Sequence, residues 1–239
     1  MFPLVLGVIT GRGQSKGVPN KNIREVLGIP LIAYTIWVAL RSQLLARTIV
    51  STDDENISNI AKRWGADVPF LRPHDLATDE VPHLPVLQHA INFVENQESR
   101  NYDYVFTFQP TAPLREVSDV DGAITKIVTT GCDSVIGLVR IEDHHPLRIK
   151  RIENDLIVPY GAPEPEGMRR QDLEPKAYIR AGSIYVARRD LVMNHGSIFG
   201  QDSRPWLLAS DKGVSVDNEY DLMVLEHFIP RFFPKKMSY

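Results

Sequence analysis

Three glycines, Gly11, Gly13 and Gly17, alternate with three cations, Arg12, Lys16 and Lys21, directly after the apolar run Leu4 to Ile9. Glycines in such a loop reach backbone conformations closed to other residues and let an anion approach the main chain, while the cations supply positive charge. The chemistry this arrangement serves is the binding of a polyphosphate at the end of a buried strand.

The spacing separates this loop from the two commoner phosphate loops. A Walker A loop needs GxxxxGK[ST], and the nearest element here, Lys16-Gly17, runs in the reverse order. The dinucleotide fingerprint GxGxxG would need glycine at position 16 and a carboxylate about 20 residues further on. Lys16 occupies the first position, and Asp53 comes too late for the second.

Further segments carry residue types suited to a nucleotide or a sugar acid. Ser51-Thr52-Asp53-Asp54 closes a second apolar run, and Leu71-Arg72-Pro73 is followed by Ala77-Thr78-Asp79 and then Pro82-His83. Gln109-Pro110-Thr111-Ala112-Pro113-Leu114-Arg115 follows another strand-like run, where ligands of open α/β sheets sit. Glu142-Asp143-His144-His145-Pro146-Leu147-Arg148 and Arg169-Arg170-Gln171-Asp172-Leu173 lie in the later half, followed by Tyr178 to Tyr185. Arg170 could clamp a carboxylate, because a planar guanidinium grips it in two places. Adjacent histidines on an extended chain point to opposite faces, so His144 and His145 are not expected to share a metal, and His145 is read as structural.

Together with Gly11-Arg12-Gly13-Gln14-Ser15-Lys16-Gly17-Val18-Pro19-Asn20-Lys21-Asn22, these segments resemble, over nearly the whole chain, the acylneuraminate cytidylyltransferase family, the CMP-sialic acid synthetases. The resemblance implies a Rossmann-like nucleotide-diphospho-sugar transferase fold of the α/β class. That fold has a mainly parallel central sheet with helices on both faces and a small dimerisation arm. It implies one cytidylyltransferase domain over residues 1–239, with the proline-rich stretch at about 141–178 as the arm of a homodimer and part of the sugar pocket. The implied substrates are CTP and a 2-keto sugar acid, such as sialic, legionaminic or pseudaminic acid, with Mg2+ as cofactor. Activation of a shorter acid such as Kdo, or a lapsed homologue that binds nucleotide without transfer, are the alternatives.

Residue by residue, the resemblance implies catalytic roles for Arg12, Lys16 and Asp217, the last as metal ligand. Nucleotide binding falls to Gly11, Gly13, Ser15, Lys16, Lys21, Asn22, Arg72 and His83, and substrate binding to Gln109, Arg148, Arg170 and Tyr185. Six positions depart from the family pattern, two of them in the loop, Gly11 for alanine and Gln14 for the second glycine. Pro82 and His83 stand for a pair of serines, Ala181 for an asparagine near the sugar, and Ser215 for the first of two metal aspartates on alternate residues of a final strand. Mg2+ needs few protein carboxylates when phosphate oxygens and waters complete its octahedron, so Asp217 alone can serve. Local chemistry offers plainer roles too: helix caps for Asp53, Asp54, His83 and Asp217, and an ion pair for Arg115.

The elements that must position these residues alternate between strand and helix, the pattern of a mainly parallel, doubly covered sheet. Strands are predicted at Leu4 to Ile9, Thr48 to Ser51, Val68 to Leu71, Tyr104 to Phe108 and Ser134 to Val139. Helices are predicted from Ile29-Pro30 to Leu45, after Asp54 as far as Gly65, and over His83 to Asn96, Ser118 to Thr130 and Asn218 to Phe228.

The composition suits a compact enzyme: 239 residues with 43% hydrophobic content support a sizeable core. A formal charge of -3 argues against a general nucleic-acid or membrane binder and leaves polyanions to local clusters. One cysteine, Cys132, permits neither an internal disulfide nor a thiolate metal site, consistent with a reducing compartment. The opening residues lack a signal-peptide pattern and no stretch reaches transmembrane length, so a cytoplasmic location is expected.

Overall fold

The computed structural model describes residues 2–15, 17–141, 143–234 and 237. Its strands are β1 (Val5–Thr10), β2 (Glu25–Val26), β3 (Ile29–Pro30), β4 (Arg47–Ser51), β5 (Tyr104–Phe108), β6 (Ser134–Ile141), β7 (Lys150–Glu153), β8 (Leu156–Pro159), β9 (Ala177–Arg188) and β10 (Ser203–Leu208). Its α-helices are α1 (Leu31–Ala39), α2 (Glu55–Arg63), α3 (His83–Glu98), α4 (Val117–Thr130), α5 (Arg189–Met193) and α6 (Glu219–Phe232).

Six strands form the central sheet in the order β10-β6-β9-β5-β1-β4. β1 pairs in parallel with β4 and β5, β6 pairs in parallel with β10, and β9 runs antiparallel between β5 and β6. The continuous apolar reading of β1 follows from this position, since both of its faces are covered. Alternate residues divide between two cores: Val5 and Ile9 pack with residues of α1, α4 and α6, whereas Leu6 and Val8 pack with Leu87, Ile91 and Val94 of α3. Helices on both faces of a mainly parallel sheet therefore match the expectation from sequence.

Local chemistry moves several boundaries. Ile29 and Pro30 do not open α1: they form β3, joined to β2 by Leu27 and Gly28, both at positive φ, as a two-residue hairpin requires. α1 ends at Ala39, so Leu45 lies beyond it. The strand expected at Val68 to Leu71 is reduced to single bridges, Ile49 with Asp67 and Thr52 with Leu71. Pro69 has no N–H to give a continuous ladder. Asp54 caps α2 as expected, accepting from the Ile57 N–H at 2.9 Å.

The segment expected to leave the core carries the β7–β8 hairpin, turned by Asn154 and Asp155 at positive φ, and its strands are almost wholly exposed. Val214 to Asp217 forms no strand, although the Val216 N–H donates to the Thr111 carbonyl at 2.8 Å. The cap of α6 is Asn218 rather than Asp217, in a reciprocal box with Asp221, and the helix runs on through Pro230 to Phe232. Among the described residues, no helix is long and apolar enough to cross a membrane.

Candidate active site

β1, β4 and β5 end side by side at Thr10, Ser51 and Phe108, and their carboxyl ends open onto a cavity of about 310 Å³. Arg12, Ser15, Lys21, Asn22, Arg72, His83 and Gln109 all line it, so seven predicted site residues from four separate segments meet there. Open α/β sheets bind their ligands at this edge because the loops between strands and helices converge there.

The glycine loop is braced from several sides. The Gly11 N–H donates to the Ser51 carbonyl at 3.1 Å, and the Gly13 N–H to Asp53 Oδ1 at 3.1 Å. A Cβ on Gly13 would lie 2.7 Å from Asp54 Oδ2, and one on Gly17 would lie 2.1 Å from the Asp217 carbonyl oxygen. Glycine at these positions is thus a matter of close approach, since both have something directly opposite. Asn22 donates from Nδ2 to the Arg12 carbonyl at 2.8 Å, holding the loop from its far end. Lys16 lies outside the described residues.

Three cations face the cavity in different ways. Arg12 pairs with Asp79 at 2.7 Å and donates to the Thr78 carbonyl at 3.4 Å, while its side chain stays partly open to solvent. Lys21 reaches the Val216 carbonyl at 2.7 Å and Asp217 Oδ1 at 3.3 Å, which ties the loop to the segment before α6. Arg72 is buried and donates to the carbonyl and hydroxyl of Ser51 at 2.6 and 3.2 Å. Its role in wall construction is therefore explicit, and it also presents positive charge to the cavity.

His83 is the first residue of α3, and its Nε2 lies 2.9 Å from Thr10 Oγ1. Burial, assisted by the positive charge of Arg72, pushes its pKa from 6.5 down to about 4, so the ring is neutral at physiological pH. In the unfolded chain the ring takes up its proton first as pH falls, so the stability tied to the neutral ring is present above about 6.5 and is lost toward 4. Urea unfolding at pH 7.5 and 4.5 should show a smaller acid loss in His83→Gln than in the parent; identical losses would refute the assignment.

Gln109 lies immediately after β5, and the loop it begins is organised by Arg115. The Arg115 guanidinium is fully buried and donates to the carbonyls of Gln109, at 2.7 Å, and Ala112, with Thr35 Oγ1 at 3.5 Å. These neutral acceptors replace the ion pair considered for it. Burial lowers its pKa to about 9, which leaves it protonated at neutrality. Gly182, at positive φ, brings β9 past this loop, where a Cβ would stand 3.2 Å from Gln109 Oε1.

Gly11 and Gly13 belong to the braced loop without lining the cavity, and four other described predicted residues stand apart from it. Asp217 is 79% exposed at its side chain beside Lys21. Arg148 pairs with Glu164 at 3.0 Å and Arg170 pairs with Asp143, both within the excursion. Tyr185 lies on β9 with its ring edge toward Phe199, centroids 6.3 Å apart. His145 is structural, as expected: its ring accepts from the Leu147 N–H and contacts the Pro175 carbonyl at 2.9 Å.

Thr10 was not foreseen at this site, and Thr78, Asp53 and Asp79 were placed only within recognised segments, with no role of their own there. Asp53 was read as part of the Ser51 to Asp54 segment, with a cap of α2 as its plainer role, but Asp54 performs that role and leaves Asp53 for the glycine loop. The doublet itself was the available signal, because one helix needs only one capping carboxylate.

Comparison with known proteins agrees with this geometry. Residues 6–202 match the family model described as "Cytidylyltransferase". The chain is 32% identical to the CMP-N,N'-diacetyllegionaminic acid synthase of Legionella pneumophila, over 93% of this chain and 94% of that protein. It is 31% identical to the pseudaminic acid cytidylyltransferase of Campylobacter jejuni, over 91% and 92% respectively. The solved structure of a CMP:2-keto-3-deoxy-manno-octonic acid synthetase complexed with CTP superposes with a TM-score of 0.72 at 18% identity, covering 95% of this chain and 99% of that one, which is a likeness of fold.

Proposed function

Because the chain belongs to the cytidylyltransferase family, we propose that it couples CTP to a sialic-acid-like 2-keto sugar acid, releasing pyrophosphate and forming the CMP-sugar. The observation that carries this reading is the convergence of Arg12, Lys21, Asn22, Arg72 and Gln109 on one cavity at the carboxyl ends of β1, β4 and β5. The names of the relatives support an acid of the legionaminic or pseudaminic type.

The anomeric hydroxyl of the acid attacks the α-phosphorus of CTP, and pyrophosphate leaves in line. Such a transfer asks the protein for positioning and charge neutralisation rather than covalent chemistry. The triphosphate lies along the glycine loop, where Arg12 and, from the family resemblance, Lys16 neutralise the leaving pyrophosphate. Gly11, Gly13 and Ser15 line its path, and Lys21 and Asn22 hold the loop to its neighbours. Arg72, His83 and the apolar side chains Val81 and Val86 wall the nucleoside end. Gln109 meets the sugar acid.

Asp217 fits a magnesium ion. Its carboxylate is open to water beside the loop, the Gly17 backbone lies against its carbonyl, and a single carboxylate suits an ion that keeps waters and phosphate oxygens. Bound there, Mg2+ would supply positive charge at the α-phosphate.

The active unit is a homodimer. Arg148 and Arg170 do not line the cavity of their own chain, and the hairpin beside them exposes Ile152, Leu156 and Ile157 at 79%, 65% and 77%. An apolar arm of this kind covers itself on a second copy and carries both arginines to that copy's sugar acid.

Pyrophosphate release should be measured with each of the four nucleoside triphosphates against legionaminic, pseudaminic, N-acetylneuraminic and Kdo acids, with Mg2+ or with chelator. The expected result is release with CTP, Mg2+ and a nine-carbon acid. CTP binding without release on any acid would instead favour the lapsed homologue, for which Ser215 in place of a second aspartate is the only support.

A further inference from the structure

We propose that Asp79 is a positioning residue that occupies the anion seat of Arg12 until a polyphosphate displaces it. The proposal rests on reading the cavity as the nucleotide site. Both terminal nitrogens of Arg12 are turned to one short segment, Nη2 to Asp79 Oδ1 at 2.7 Å and Nη1 to the Thr78 carbonyl at 3.4 Å. That edge of a guanidinium is the one suited to gripping a phosphate in two places. Asp79 therefore takes what a triphosphate would take.

The surroundings make this an exchangeable contact rather than a fixed strut. The two side chains are 36% and 28% exposed, so water and salt reach the pair and its intrinsic strength is small. Residues 77–82 form an irregular strap anchored at one end by Arg72, whose Nη1 reaches the Leu76 carbonyl, and at the other by α3. Thr78 and Val81 of the strap wall the main cavity, while Asp79 borders an adjoining recess lined by Gly13, Gln14, Ser15, Pro19 and Asn20. One ion pair thus joins the wall of the nucleoside end to the cation at the phosphate end.

A polyphosphate entering along the loop competes with the Asp79 carboxylate for Arg12. Seating the phosphates breaks the Arg12–Asp79 pair and frees the strap from that tie; loss of pyrophosphate restores both. Asp79 therefore weakens polyphosphate binding and speeds pyrophosphate release. A strut would do the opposite.

Titration of pyrophosphate with Mg2+ by calorimetry tests the idea without relying on turnover. Asp79→Asn should bind pyrophosphate about fivefold more tightly than the parent, the scale of removing one partly exposed competing charge. Asp79→Ala should shift in the same direction, and pyrophosphate should become a correspondingly stronger product inhibitor. In an Arg12→Ala background the gain from Asp79→Asn should shrink below about twofold, since the coupling between the pair is then gone. Equal or weaker binding by Asp79→Asn, or a gain of the same size without Arg12, would overturn the proposal. A parent protein that binds pyrophosphate yet turns over CTP with no acid would refute the reaction assigned above while leaving this measurement readable.

Discussion

Arg12→Ala should lower kcat/KM for CTP by about 10²- to 10³-fold, the effect of deleting one preorganised charge where negative charge develops. The guanidinium stands at the cavity on the loop after β1, where it pairs with Asp79. Arg12→Lys should recover only part of the loss, because an ammonium keeps the charge but not the two-pronged geometry. Steady-state kinetics with CTP varied at saturating acid, measured on correctly folded protein, gives the answer. A change within a few-fold for the alanine variant would remove Arg12 from the reaction.

Arg115→Ala should destabilise the protein by about 3–5 kcal/mol, because it strands several buried acceptors and leaves a void where a long side chain was. The acceptors are the carbonyls of Gln109 and Ala112 and the hydroxyl of Thr35, and the Phe108 ring beneath the guanidinium would lose its cation at 5.2 Å. For a chain of this length the midpoint of thermal unfolding should drop by roughly 10 °C. The loop 109–114 is the element affected, so surviving Arg115→Ala protein should also show a raised KM for the acid. A midpoint within about 2 °C of the parent would mean that other contacts hold the loop. Both measurements are independent of which acid is the natural substrate.

These two arginines also mark how far residue patterns reach. Arg12 was legible as a candidate phosphate ligand because charge and glycine spacing in a strand-to-helix loop are local properties. Arg115 lies in an equally recognisable stretch, yet whether it meets a carboxylate or carbonyls depends on what α1 and the chain after β5 bring beside it. Likewise Asp53 and Asp54 are equivalent in the sequence, and only the folded loop assigns one to the Gly13 amide and the other to the α2 cap.

The excursion shows the same division. Its prolines and short apolar pieces announced a departure from the core, and the segment carries the exposed β7–β8 hairpin. The resemblance assigns Arg148 and Arg170 to the sugar acid through the arm, and within one chain they pair with Glu164 and Asp143 away from the cavity lining. Asp217 was expected on a strand and is found on an irregular segment, held through Lys21 and the Val216 backbone.

By itself, then, the sequence determined the class of fold, the alternation of β1, β4, β5 and β6 with α1 to α4, and the glycine-and-cation character of the loop from Gly11 to Asn22. Those depend on periodicity, turn residues and charge, which neighbours in the chain express together. Only the tertiary structure decided that the Gly13 amide meets Asp53, that Arg12 is held by Asp79, and that His83 loses its affinity for protons against Thr10 and Arg72. Each of those contacts joins residues 40 or more apart in the chain, or depends on burial, and both exist only once β1, β4 and α3 lie side by side.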